Sequence, residues 1–111
     1  MTTSSCLPMG AKDLAAVTAV GTALSGAAAL TGGFNNVTTG ASDTAVTLPN
    51  MPGGGSVVVR NISATTCLVF PPVVTMQINQ ITAGSSFSLA QNKSAIFYQV
   101  STTRYISMLT A

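Results

Sequence analysis

Histidine, glutamate and tryptophan are absent from this chain, and its entire charge resides in Lys12, Asp13, Asp43, Arg60, Lys93 and Arg104. General acid/base catalysis draws mostly on His and carboxylates held near the transferred proton. Without His or Glu, and with the two Asp far apart in sequence, no catalytic residues are expected and the chain does not read as an enzyme. A nucleophilic Ser or Thr would need a neighbouring base, for which only Lys12 or Lys93 is available. Cys6 and Cys67 are the only cysteines, too few for a disulfide framework and without metal-ligand spacing, so both are expected as free, partly buried thiols and no metal is expected. Pro52-Gly53-Gly54-Gly55 has the glycines of a phosphate loop, but no Lys-Ser or Lys-Thr follows. It reads as a flexible hairpin tip, with Met51 beside it as an exposed loop residue, and no cofactor is expected.

The scarcity of charge excludes further classes. Four basic residues spread over 111 positions, for a net charge of +2, make no stripe that could follow a phosphate backbone, so nucleic acid is not an expected partner. The start of the chain has no basic segment leading into an apolar run, so no secretory signal is read there. The longest apolar stretch, Leu14 to Leu30, is broken by Thr18, Gly21, Thr22, Ser25 and Gly26, which argues against a membrane span. A soluble protein made in a cytoplasm is the expectation, with no small-molecule substrate.

What the chain does have is aliphatic content: 47% of its residues are hydrophobic and its mean hydropathy is +0.52, against the polar, charged composition of disordered chains. One domain is expected from the length. Residues 1–30 read as an irregular N-terminal arm followed by an extended or weakly helical segment. Leu14, Val17, Gly21 and Leu24 fit a helical stripe, but Gly21 and Gly26 each cost about 1 kcal/mol inside a helix. A strand is therefore preferred there, with a short helix near Lys12 to Val20 as the competitor.

Residues 31–111 read as β-structure. Runs rich in Val, Ile, Phe and Thr alternate with Gly, Pro, Asn and Ser clusters at intervals of roughly 8 to 12 residues. The expected strands are Phe34 to Thr39, Thr44 to Leu48, Ser56 to Ile62, Cys67 to Phe70, Val73 to Ile78, Ser86 to Ala90, Ser94 to Val100 and Arg104 to Leu109. Such spacing predicts an all-β fold, an antiparallel β-sandwich or jelly-roll-like domain.

The faces of these strands differ. In Thr44 to Leu48 and Ser86 to Ala90, apolar and hydroxyl residues alternate, as on a strand with one wet face. Val57-Val58-Val59, Ile96-Phe97-Tyr98 and the Ile106, Met108, Leu109 group put apolar side chains on both faces. Since a small domain has one core, the second face calls for a partner: either the amino-terminal segment folded back or a neighbouring subunit. Val58, Tyr98, Tyr105 and Met108 are the candidate subunit interface, with Tyr98 and Tyr105 expected to keep their hydroxyls at a wet rim. Phe70, Phe87 and Phe97 read as core or interface packing rather than a base- or sugar-stacking platform. Arg60 and Arg104, within strands, read as solvated outer-face residues or interface anchors. Cys6, Leu7, Pro8 and Met9 form a small apolar cluster in the arm that could dock on another surface.

From Phe34 onward the chain resembles a small β-domain found in virion structural proteins of tailed bacteriophages, notably head decoration (cement) and head-fibre proteins. The likeness is carried by Asn36-Val37-Thr38-Thr39, Val46-Thr47-Leu48-Pro49, Gly55-Ser56-Val57-Val58-Val59-Arg60-Asn61, Leu68-Val69-Phe70-Pro71, Ile78-Asn79 and Ala83 to Ala95, with Tyr105 as the final aromatic. The chain departs from that pattern at Gln80, where Gly is usual, and at Phe70, where Tyr is common. The resemblance implies a homotrimer on the outside of a phage capsid, with the major capsid protein as partner and the arm, through Cys6 to Met9, as the clamp. Low charge agrees with that role, because many identical copies on one lattice would otherwise repel one another. The same domain type is similar to pieces of tail fibres and spikes, which keeps a receptor-binding module as the alternative.

Overall fold

A computed structural model of the chain describes residues 14–30, 32–39, 44–50 and 55–109. Ten strands and no helix make up the regular structure of these residues: β1 Leu14–Ala19, β2 Ala28–Ala29, β3 Phe34–Thr39, β4 Thr44–Thr47, β5 Gly55–Asn61, β6 Cys67–Phe70, β7 Gln77–Ile78, β8 Phe87–Leu89, β9 Ser94–Ser101 and β10 Arg104–Leu109. The all-β class is as the sequence pattern predicts. The short helix near Lys12 to Val20 does not form over the described residues, where β1 runs instead.

Strands β1 to β9 alternate between two sheets, and β10 stays in the sheet of β9. Six strands form one sheet in the order β1-β3-β5-β9-β10-β7, and four form the other in the order β2-β4-β6-β8. From β1 to β6 the chain crosses to the opposite sheet after each strand and returns beside its previous strand running the same way. In register, Phe34 lies beside Leu14 and Val58 beside Phe34 in the larger sheet, while Val46 lies beside Ala28 and Val69 beside Val46 in the smaller. The result is a stack of coils, closed at one end by the antiparallel pairings of β9 with β5 and β10 and of β8 with β6.

These parallel ladders correct the antiparallel arrangement expected from the sequence. Inward/outward alternation has period two in either direction, so the pattern of Val and Thr cannot distinguish them. Connection length can: antiparallel neighbours accept a tight turn, and parallel neighbours need a crossover. The one turn joining sequential neighbours within a sheet, among the described residues, is Thr102-Thr103 between β9 and β10. A second correction concerns Val73 to Ile78. Only Gln77–Ile78 is strand; after Pro71-Pro72 the chain turns, with the Met76 amide donating to the Val73 carbonyl at 3.2 Å.

One core lies between the sheets. Val37, Val57, Val59, Phe97 and Tyr105 point into it from the larger sheet, and Val46, Cys67, Val69 and Leu89 from the smaller. Phe87 of β8 meets Phe97 of β9 edge to face across the gap, centroids 5.4 Å apart and planes at 89°, a favoured geometry for the ring quadrupoles. Where the chain leaves β1, Val20 and Ala45 exchange backbone hydrogen bonds of 3.1 and 3.3 Å and tie the first coil to β4.

Three amides are buried in this apolar setting: Asn35, Asn61 and Gln99. Each is hydrogen-bonded, as burial of a polar group demands. Asn61, at the end of β5, donates through Nδ2 to the carbonyls of Thr65 at 2.7 Å, Leu89 at 3.0 Å and Ala90 at 3.3 Å, and its Oδ1 accepts from the Ser63 amide at 3.0 Å. A single side chain thus joins the larger sheet to β8 of the smaller one.

Cys67 is a free, fully buried thiol at the start of β6. Burial pushes its pKa up from 9.0 to about 12, because the thiolate would lose its hydration. The native protein should therefore leave Cys67 unlabelled by maleimide under conditions that label it rapidly in urea, as read by peptide mapping. Stability should also fall as pH rises from 9 toward 12, since the unfolded chain releases the thiol proton first; equal labelling in both states would show that the site opens freely.

Candidate interaction surface

The alternation along each strand of the larger sheet divides its side chains between the core and an outer face. On β5, Val57, Val59 and Asn61 are buried while Ser56, Val58 and Arg60 point the other way. On β9 the buried set is Ala95, Phe97 and Gln99, leaving Ile96 half-buried and Tyr98 and Val100 exposed on the outside. On β3, Asn35 and Val37 face in, and Phe34 faces out.

Strand register aligns these outward residues into rows. Phe34 pairs with Val58, Val58 with Ile96 and Ile96 with Met108, giving an apolar row across β3, β5, β9 and β10. One step along the strands, Ser56 pairs with Tyr98 and Tyr98 with Ile106. Met108 is 57% exposed, Ile106 43% and Tyr98 39%, while Phe34, Val58 and Ile96 are half-buried, so the β9–β10 side of these rows is open to water. A third row on the opposite flank, Asn36, Arg60 and Ser94, is polar.

Charge lies at both ends of this surface. Arg60 is exposed beyond the apolar row. Arg104, at the start of β10, donates from Nη2 to Oε1 of Gln77 on the neighbouring β7 at 2.7 Å. A surface with Phe, Tyr and Met at its centre and Arg at its rim, lacking Lys, Asp and Glu in the middle, has the composition that marks protein interfaces.

Of the four residues expected at a subunit interface, Val58, Tyr98 and Met108 lie on this outer face. Tyr105 does not. It is fully buried, points into the core and donates its hydroxyl to the Pro49 carbonyl. A register irregularity between Arg104 and Tyr105 accompanies the turn out of β9, and from there β10 places Tyr105 inward and Ile106 outward. Phe34 is the residue of the surface that the sequence reading passed over, identifiable by its parity relative to Val37; Ile96 and Ile106 stood among the two-faced apolar runs but not among the four interface candidates. Cys6, Leu7, Pro8 and Met9 lie outside the described residues, as do Met51 to Gly54 of the glycine tip. Among the described residues, no three His, Cys, Asp or Glu side chains come together.

No protein-family model, curated protein or solved structure matches this chain. The resemblance to phage head proteins therefore rests on the residues quoted for it.

Proposed function

We propose that this chain is an adhesive structural protein of a tailed-phage virion, a decoration (cement) protein that binds the outside of the head. In this reading it associates as a homotrimer, contacts the major capsid protein and stabilises contacts between capsomers without turnover. The observation that supports it is the apolar row Phe34, Val58, Ile96 and Met108, flanked by Tyr98 and Ile106, on the open face of the larger sheet. Burying such surface contributes about 25 cal/mol per Å², and a protein that binds only the assembled shell stabilises that shell by mass action.

Cryo-electron microscopy of purified particles tests the location: density on the shell exterior agrees with the proposal. Density at the tail would replace it with the fibre or spike receptor-binding reading, for which the exposed Val73 and Val74 of the β6–β7 loop offer a contact. Attachment through apolar rows should survive about 1 M NaCl, where the Debye length falls to about 3 Å. The double variant Val58→Lys/Met108→Lys should keep its fold, because both side chains point outward, and lose trimer formation or head binding. Retention of both would remove the outer face from the argument.

A further inference from the structure

The stack of coils begins with an end that no described strand covers. β1 pairs with β3 and β2 with β4, and no described strand lies on the far side of either. Both first strands are therefore edges at the same end of the molecule, one in each sheet. Their inward side chains are less sealed than those stacked upon them: Val17 retains 8% exposure where its register partner Val37 has none, and Leu30 retains 7% where Val46 and Leu48 are at 0% and 1%. Ala15 and Ala28 are only partly buried against the core.

Edge strands carry unpaired N–H and C=O groups, and monomeric proteins blunt them with Lys, Pro, bulges or a covering segment. Residues 14–30 contain no charged residue and no proline, and β1 runs its full length in unbroken register with β3. Terminal coils of stacked folds normally carry a polar cap for the same reason. β1, with the sequence LAAVTA, has none within itself.

We infer that this end is a homodimer contact in which β1 of one copy pairs antiparallel with β1 of a second. The occupant follows from geometry. Two edges must be met at once, at the separation of the two sheets, and another copy of this same end presents two edges at that separation. A two-fold axis perpendicular to the sheets sets β1 beside its copy and β2 beside its copy, so both sheets run on through the interface and the core becomes continuous from Val17 and Leu30 to their counterparts. Such a contact is isologous and closed, so it stops at two chains. A single added peptide strand would meet one sheet and leave the other edge bare. The absence of charge over residues 14–30 also provides nothing that selects a charged partner.

The outer-face assembly proposed above uses a different surface, so the two contacts separate experimentally. Sedimentation velocity of the full-length protein over a range of concentrations should show complexes with an even number of 11.1 kDa chains, two through the edge contact alone or six where that contact joins two outer-face trimers. Ala16 and Thr18 are exposed on β1. Ala16→Lys/Thr18→Lys places like charges opposite one another across the paired edge and should halve the mass, whereas Val58→Lys/Met108→Lys should leave the two-chain step intact. Hydrogen exchange of the unsubstituted protein gives a second readout: β1 amides should become slower to exchange as concentration rises. A mass of one or three chains at every concentration would overturn the inference, the former pointing to cover by residues 1–13 of the same chain. So would an edge variant of unchanged mass, or β1 exchange that ignores concentration.

Discussion

Replacing Asn61 with Leu should destabilise the protein by about 3 kcal/mol or more, since each buried polar group left without a partner costs roughly 1–3 kcal/mol. Asn61 serves three carbonyls and one amide, and the Leu89 carbonyl among them is deeply placed. Leucine has the same branched skeleton and is larger rather than smaller, so the loss is polar and not a cavity. For a domain of this size the melting temperature should fall by about 12–24 °C, at roughly 4–8 °C per kcal/mol. Asn61→Asp should be no better: a carboxylate keeps the acceptor for Ser63 but donates to none of the carbonyls and brings a charge into the core. A thermal or urea melt in which Asn61→Leu loses under about 1 kcal/mol would mean that these carbonyls find water or relax toward other donors.

Tyr105 carries the other large effect, in two separable parts. Truncation to Ala removes a ring that is fully buried and should cost about 3–5 kcal/mol, the range for large aromatic side chains in cores. Tyr105→Phe keeps the ring and removes only the hydroxyl that donates to Pro49; its cost should be about 1 kcal/mol. Denaturant unfolding of both variants measures the split. If the two losses were equal, the hydroxyl and not the ring would be what Tyr105 contributes, and its assignment to the core would fail. Neither substitution touches the outer face, so self-association per folded molecule should be unchanged.

The strands were legible in the sequence because β-propensity and turn residues punctuate it strongly. Phe34–Thr39, Cys67–Phe70 and Arg104–Leu109 fall on the expected residues, and the others are shifted or trimmed at their ends, apart from the stretch beginning at Val73. Strand partners were not legible. Which strand lies beside β5 depends on where the chain goes after each turn, and period-two alternation is silent about that. Tyr105 shows the same limit at residue scale: whether it faces in or out hangs on one register irregularity beside the Thr102-Thr103 turn. Asn61 shows another. Its parity with Val57 and Val59 places it inward within the expected strand Ser56 to Ile62, but only the carbonyls of Thr65, Leu89 and Ala90 converging on it explain why a buried site holds an amide. For the surface, consecutive apolar residues in β5 and β9 announced a second apolar face, but the row from Phe34 to Met108 required the pairing order.

The position of the β9–β10 hairpin decides when this fold can finish. Although last in the chain, it occupies the middle of the larger sheet, with β5 on one side and β7 on the other. The early coils can stack as they emerge during synthesis, but β5 and β7 have nothing to join them within that sheet until residues 94–109 arrive. Pairings between distant parts of a chain pay loop-closure entropy before they gain contacts, which slows their formation. Completion of the larger sheet is thus deferred until residues 94–109 have emerged, and a copy terminated before them is left with two bare edges and a core missing Phe97 and Tyr105. Chains that stop before residue 94 thereby expose unpaired edges and apolar core surface, which favours their aggregation or degradation.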